Sequence, residues 1–167
     1  SAATEVSGTL AVAGATSLAT TAQMTAGTGI TTGTGTLYKT SVVTKGNIIE
    51  TTIIIDLTGL NSGDAVNDII GKAATANCHI GQITAAINGT ILGGTMSCLE
   101  TPTTGEPDID LYSATVATGT EETLVTALTE TALLASGADW TNLLAPKNLT
   151  VMPPADGYLY LTGSQAT

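Results

Sequence analysis

The sequence predicts an all-β protein: an antiparallel β-sandwich or jelly-roll-like domain over residues 37–167, preceded by an extended, hexad-patterned arm or stem over residues 1–36. Three observations predict it. Thr supplies roughly a fifth of the chain, and this β-branched residue favours strands and disfavours helix interiors. Aromatic residues make up 3% with Phe absent, beside 19 Gly, so the core must be packed from aliphatic and small side chains. Short β-branched runs alternate with Gly, Asn and Pro turn signals, the pattern of several antiparallel strands.

Every sixth residue from Val6 is apolar: Val6, Val12, Leu18, Met24 and Ile30. Six is a multiple of the strand period of two, so the column stays on one face of an extended chain. Such a strip cannot bury its column alone; it needs a sheet or copies of itself, as in a trimeric fibre stem or a β-solenoid. These five residues are the expected assembly contacts. The other reading is a Gly/Thr/Ala-rich linker whose column follows from its small alphabet.

Residues 37–44 and 48–57 form β-branched runs separated by Lys45-Gly46-Asn47, a hairpin with a tight turn. Ile49, Thr51, Ile53, Ile55 and Leu57 share its core face, and Glu50, Thr52, Ile54 and Asp56 the wet one. Residues 60–76 read as a long connection with a short element at 65–70. A second hairpin is expected from 80–87 and 91–99, turning at Asn88-Gly89. Residues 101–107 are a Pro and Gly loop, and 109–116 a strand. Thr120-Glu121-Glu122 ahead of Leu124, Val125, Leu128 and Leu133 suits a capped helix, and its Thr residues also allow strands. Residues 149–152 and 158–161 close the domain as short strands.

Four Lys, no Arg and 14 Asp plus Glu give a formal net charge of −10. That charge repels phosphate backbones and anionic membrane surfaces, so neither nucleic acid nor membrane is expected as a partner. A mean hydropathy of +0.32 argues against a disordered acidic chain. No apolar run approaches the roughly 20 residues that span a bilayer, and the first residues lack the blocks of a signal peptide; the mature chain reads as soluble.

The residues for chemistry are few. His79, the one histidine, opens an apolar strand and reads as a packed or rim residue rather than a base for nucleophilic catalysis. Cys78, His79 and Cys98 are the whole supply of soft metal ligands, too few for zinc. Asp108 and Asp110 alternate on one strand, and Glu121 and Glu122 adjoin. Either pair could serve a glycosidase or calcium, but with Trp140 the only Trp a solvated face is the better reading. Gly27-Thr28-Gly29 and Gly33-Thr34-Gly35 lack the Lys and spacing of nucleotide loops. The acceptor patterns at Asn88 and Asn148 are common by chance in a Thr-rich chain. No enzyme activity and no cofactor are expected. A two-residue turn at Asn88-Gly89 would put Cys78 and Cys98 on opposite faces; a three-residue loop would set them opposite one another within disulfide reach. Free thiols are the default.

The run 27–57, the segment 78–86 beginning Cys78-His79-Ile80-Gly81-Gln82, the stretch 107–115 beginning Pro107-Asp108-Ile109-Asp110, and Thr129-Glu130-Thr131-Ala132-Leu133-Leu134 together resemble small virion structural proteins of marine tailed bacteriophages. Residues 6–18 are similar to repeats of trimeric phage fibre stems. The resemblance carries over no catalytic residue. It implies a non-enzymatic decoration or cement protein on the outer capsid surface, assembled in the host cytoplasm, with the major capsid protein and its own copies, as a trimer, for partners. The alternative it leaves is a trimeric fibre or tail protein that binds a host surface.

Overall fold

The computed structural model describes residues 23–105 and 107–163. All of its strand pairs are antiparallel. β1 (Leu37–Lys45) and β2 (Ile48–Asp56) form a separate two-stranded ribbon, the hairpin that the sequence predicts. β3 (Asp68–Ile69), β4 (Gly81–Gln82), β6 (Ile109–Ala114), β7 (Glu130–Leu134) and β9 (Tyr158–Gly163) make a five-stranded sheet of order β3-β9-β6-β7, with β4 also pairing with β9. β5 (Thr95–Met96) and β8 (Lys147–Asn148) form a second small ribbon. The all-β antiparallel class therefore holds, and no pairing among the described residues sets a jelly-roll connectivity.

β9 is the spine. It pairs with β6 along its whole length and with β3 and β4 on its other edge. Strands paired on both edges and covered on both faces lose the polar alternation of an edge strand, and Leu159, Tyr160, Leu161 and Thr162 are all buried. The Tyr160 hydroxyl donates to Val116 O (2.6 Å) and accepts from Gly119 N (3.2 Å), which satisfies the polar tip of a fully buried ring.

The β1–β2 ribbon lies on this core by one face. Ile53, Ile55 and Leu57 pack against it and Val42 is buried, while Ile49, beside the turn, stays more exposed than its face implies. Tyr38 anchors the ribbon by donating to Ile80 O (2.6 Å).

Three sequence expectations need correction. The second hairpin does not form. Thr84 caps a single helical turn, α2 (Ala85–Asn88), by accepting from Ile87 N (3.2 Å), and Asn88 Oδ1 accepts from Thr84 N (2.9 Å). Local side-chain bonds of this kind compete with a strand ladder, so β4 turns to β9 and β5 to β8. Over 120–137 the strand alternative prevails: one 3₁₀ turn (Val125–Leu128) ends at Thr129, with φ of 56°, and β7 follows.

The third correction concerns the arm. Met24 and Ile30, expected to meet other chains, are buried in this chain's own core. Residues 23–33 run against 76–81: Gly27 N donates to His79 O (2.9 Å), Gly29 N to Asn77 O (3.1 Å), and Lys72 N to Gly29 O (2.7 Å). A short helical turn, α1 (Thr28–Thr31), results. A Cβ on Gly29 would collide with Cys78 Sγ and Ala76 O, so the glycines permit a close approach here rather than slack. Val6, Val12 and Leu18 lie outside the described residues.

Candidate functional site

Asp108 and Asp110, expected on a solvated face, are instead buried where β6 begins. Trp140 is tied to the main chain on either side of Asp108. Its main-chain N–H donates to Pro107 O (2.9 Å) and its indole Nε1 to Ile109 O (2.7 Å), which folds the loop after β7 across the strand. Asp110 Oδ1 accepts from Ser136 N. Ser136 in turn holds Lys147, whose Nζ donates to both Ser136 O and Ser136 Oγ at 2.7 Å and lies 4.8 Å over the Trp140 ring. Burial pushes the Asp110 carboxyl above its usual range; the Ser136 N–H and the Lys147 charge oppose this, and Asp108 adds to it. The arrangement is a polar clasp that pins a loop to a strand.

His79 packs edge-on against Tyr158 (centroids 5.0 Å apart) and Tyr160 (6.4 Å). Burial lowers its pKa, so the ring is neutral at pH 7. Its neighbour Cys78 donates to Thr75 O (3.1 Å) and is pushed up to about 11, chiefly by burial. A thiol so placed is a poor nucleophile. Both cysteines are free, and with the second hairpin absent neither register considered for a Cys78–Cys98 bond exists. His79 borders a cleft of about 200 Å³ with Gln23, Met24, Gln82, Thr84, Ile87 and Tyr158.

A wider cleft of about 440 Å³ is lined by Gly63, Asp64, Ala65, Asp68, Glu122 and Leu124. Of the Glu121–Glu122 pair, Glu122 lines this cleft and is exposed. Glu121 is buried, its Oε2 accepting from Ala74 N (2.9 Å) and its carboxyl raised above the usual range chiefly by burial, the neighbouring Glu122 carboxyl adding to this. Asp68 is spent on the Ala65 N–H (3.0 Å). Among the described residues no group of three or more His, Cys, Asp or Glu side chains is placed to hold a metal ion, and no helix is long and apolar enough to cross a membrane.

What the fold leaves outside is more distinctive. Leu92, Leu99 and Leu143 are 81%, 75% and 90% exposed. Leu99 and Leu143 flank a tether between distant segments, in which the Thr101 hydroxyl donates to Asn142 Oδ1 (2.9 Å) and accepts from Asn142 N (3.0 Å). Sequence reasoning did not single these leucines out; it placed Leu92 and Leu99 in the second arm of a hairpin that does not form. The 60–76 connection is partly core: Asn61 and Gly71 bridge, and Ile69 and Ile70 are buried.

The fold thus defines an all-β protein of antiparallel sheets, with Cys78, Asp108 and Asp110 drawn inward, His79 and Cys98 half-buried, and several leucines turned outward. No family model, no curated protein and no solved structure matches the chain.

Proposed function

We propose that the chain is a non-enzymatic structural protein of a bacteriophage virion: a capsid decoration or cement protein that binds the outside of the shell and bridges its subunits. Its partners are then the major capsid protein and copies of itself, as a trimer. The observation that carries this reading is the outward placement of Leu92, Leu99 and Leu143, three large apolar side chains that the fold leaves available to a partner. The burial of Cys78, Asp108 and Asp110 favours a role without catalysis. Val6, Val12 and Leu18 remain proposed contacts to neighbouring chains; Met24 and Ile30, being core, do not.

A shell under internal pressure fails where subunits part, so a bridging protein adds contact area at the seam that must open. The net charge of −10 opposes crowding of copies, and any basic surface is then supplied by the capsid. Quantifying the chain in purified virions tests the reading. Hundreds of copies per particle, with stripped particles losing their DNA at lower temperature and recovering on re-addition, is the expected result. A few copies per particle, with affinity for host-surface glycan, makes it a fibre or tail protein, and absence from virions overturns the reading.

A further inference from the structure

The face of the β1–β2 ribbon turned away from the core carries a charge pattern that its own pairing uses only in part. β1 places Leu37, Lys39, Ser41, Val43 and Lys45 there, and β2 places Ile48, Glu50, Thr52, Ile54 and Asp56, all exposed. Two of the chain's four lysines therefore lie on one strand, while the other strand offers two carboxylates and no cation. Inside the ribbon Lys39 faces Ile54 and Lys45 faces Ile48; Lys45 reaches diagonally to Glu50 (2.7 Å), and Lys39 has no acid across from it.

Among the described residues, both long edges of the ribbon are open. Gly46 and Asn47 form a two-residue turn, which makes Lys45 and Ile48 a hydrogen-bonded pair. The main-chain groups of Lys39, Ser41 and Val43 then point inward to β2, and those of Tyr38, Thr40, Val42 and Thr44 point off the β1 edge. On β2 the groups of Ile49, Thr51, Ile53 and Ile55 point off the other edge. Among the described residues no backbone hydrogen bond beyond the ribbon reaches any of them. An open edge of this length accepts a strand through main-chain bonds.

We propose that the open β2 edge of one copy pairs with the open β1 edge of a second copy, continuing the ribbon as an antiparallel sheet in a register offset by two residues from the internal one. A two-residue offset keeps every side chain on its face. It sets Lys39 opposite Asp56 and Lys45 opposite Glu50, with Ser41 opposite Ile54 and Val43 opposite Thr52. These fall at the non-hydrogen-bonded positions, where facing Cα atoms are about 4.5 Å apart and side chains meet most closely. The main-chain bonds fall between, joining Thr40 to Ile55, Val42 to Ile53 and Thr44 to Thr51. A two-fold arrangement would instead join β1 to β1 or β2 to β2 and gather like charges on one seam. Charge complementarity thus selects a second copy, joined head to tail, which closes as a ring or runs on as a filament. Main-chain bonds supply the affinity and the charges choose the register. The association goes beyond the virion reading and does not depend on it.

Sedimentation of the full chain at sub-millimolar concentration tests the proposal, using the double variants Lys39→Glu/Lys45→Glu and Glu50→Lys/Asp56→Lys. The wild type should associate, and each variant alone should do so about tenfold more weakly, since both of its edges then carry one sign. An equimolar mixture of the two should recover association, each copy offering the edge that the other lacks. Register is read by oxidising Lys39→Cys/Asp56→Cys, which should give a ladder of covalently linked chains, whereas Lys39→Cys/Ile54→Cys, facing within one ribbon, should close inside the monomer. A wild type that stays monomeric, as when another segment or another protein holds the edge, overturns the proposal. So does association that the variants leave unchanged, or a mixture that fails to recover it, or the absence of a ladder.

Discussion

Ile30→Ala tests whether residues 23–33 belong to the folded body or to a free arm. Ile30 is fully buried, in a core cluster that also holds Met24, Ile69 and Cys78. The substitution removes three carbon atoms' worth of apolar burial, at about 0.8 kcal/mol each, and leaves a cavity whose walls, including backbone bonded to Asn77 and His79, cannot readily close; a loss of about 3–4 kcal/mol follows. For a chain of this size the melting temperature falls by about 10 °C. Ile48→Ala, at an exposed ribbon position, should stay within about 0.5 kcal/mol. Gly29→Ala sharpens the contrast through its sign. In a free arm, alanine in a helical turn stabilises by about 0.5–1 kcal/mol, whereas packed against Cys78 Sγ and Ala76 O it destabilises by about 1–3 kcal/mol. The measurement is urea and thermal unfolding followed by circular dichroism. A loss below about 1 kcal/mol for Ile30→Ala, or a gain for Gly29→Ala, would refute the packing of this segment.

Asp110 titrates above its ordinary value of 3.8 because it is buried. With the folded pKa above the unfolded one, its contribution to stability is complete below about 3.8 and is lost as pH rises through the folded value. Asp110→Asn, which still offers an oxygen to the Ser136 N–H, should therefore be more stable relative to wild type at pH 7 than at pH 3.5 in denaturant titrations; the opposite trend would contradict the burial of this carboxyl. Trp140→Phe leaves the Ile109 carbonyl without its indole donor and should cost about 1–3 kcal/mol; an unchanged melting temperature would argue against the clasp. In native thiol titration, half-exposed Cys98 should react while Cys78, buried with its pKa raised to about 11, stays silent until the chain unfolds; two fast thiols would contradict the core position of Cys78.

Local chemistry made the β class and the first hairpin legible. A β-branched run, a Gly-Asn turn and a second run at matching period specify their own pairing, and Lys45↔Ile48 through Leu37↔Asp56 follow from the turn outward. The alternating faces of 51–57 were legible for the same reason. The second hairpin was not, because Asn88-Gly89 ends a helical turn as readily as it makes a β-turn, and the choice is made by Thr84 and by the Asn88 side chain, whose Nδ2 donates to Thr51 Oγ1 across the fold (3.0 Å). Asp108 and Asp110 looked solvated because charge belongs on the surface; the loop that Trp140 ties to the start of β6 comes from about thirty residues further on.

The apolar column gives the clearest division. Periodicity marks Met24 and Ile30 as residues to be buried, and both are. Which surface buries them is a long-range matter, set by backbone bonds from Gly27 and Gly29 to a segment roughly fifty residues away. Composition, charge and turn chemistry are properties of neighbours along the chain, so the sequence by itself determines the class, the ribbon and the acidic surface. Partner choice depends on contacts between segments remote in sequence, so only the tertiary structure decides that Cys78 and the aspartates turn in, that Leu99 and Leu143 turn out, and that no other described strand pairs with either edge of the ribbon.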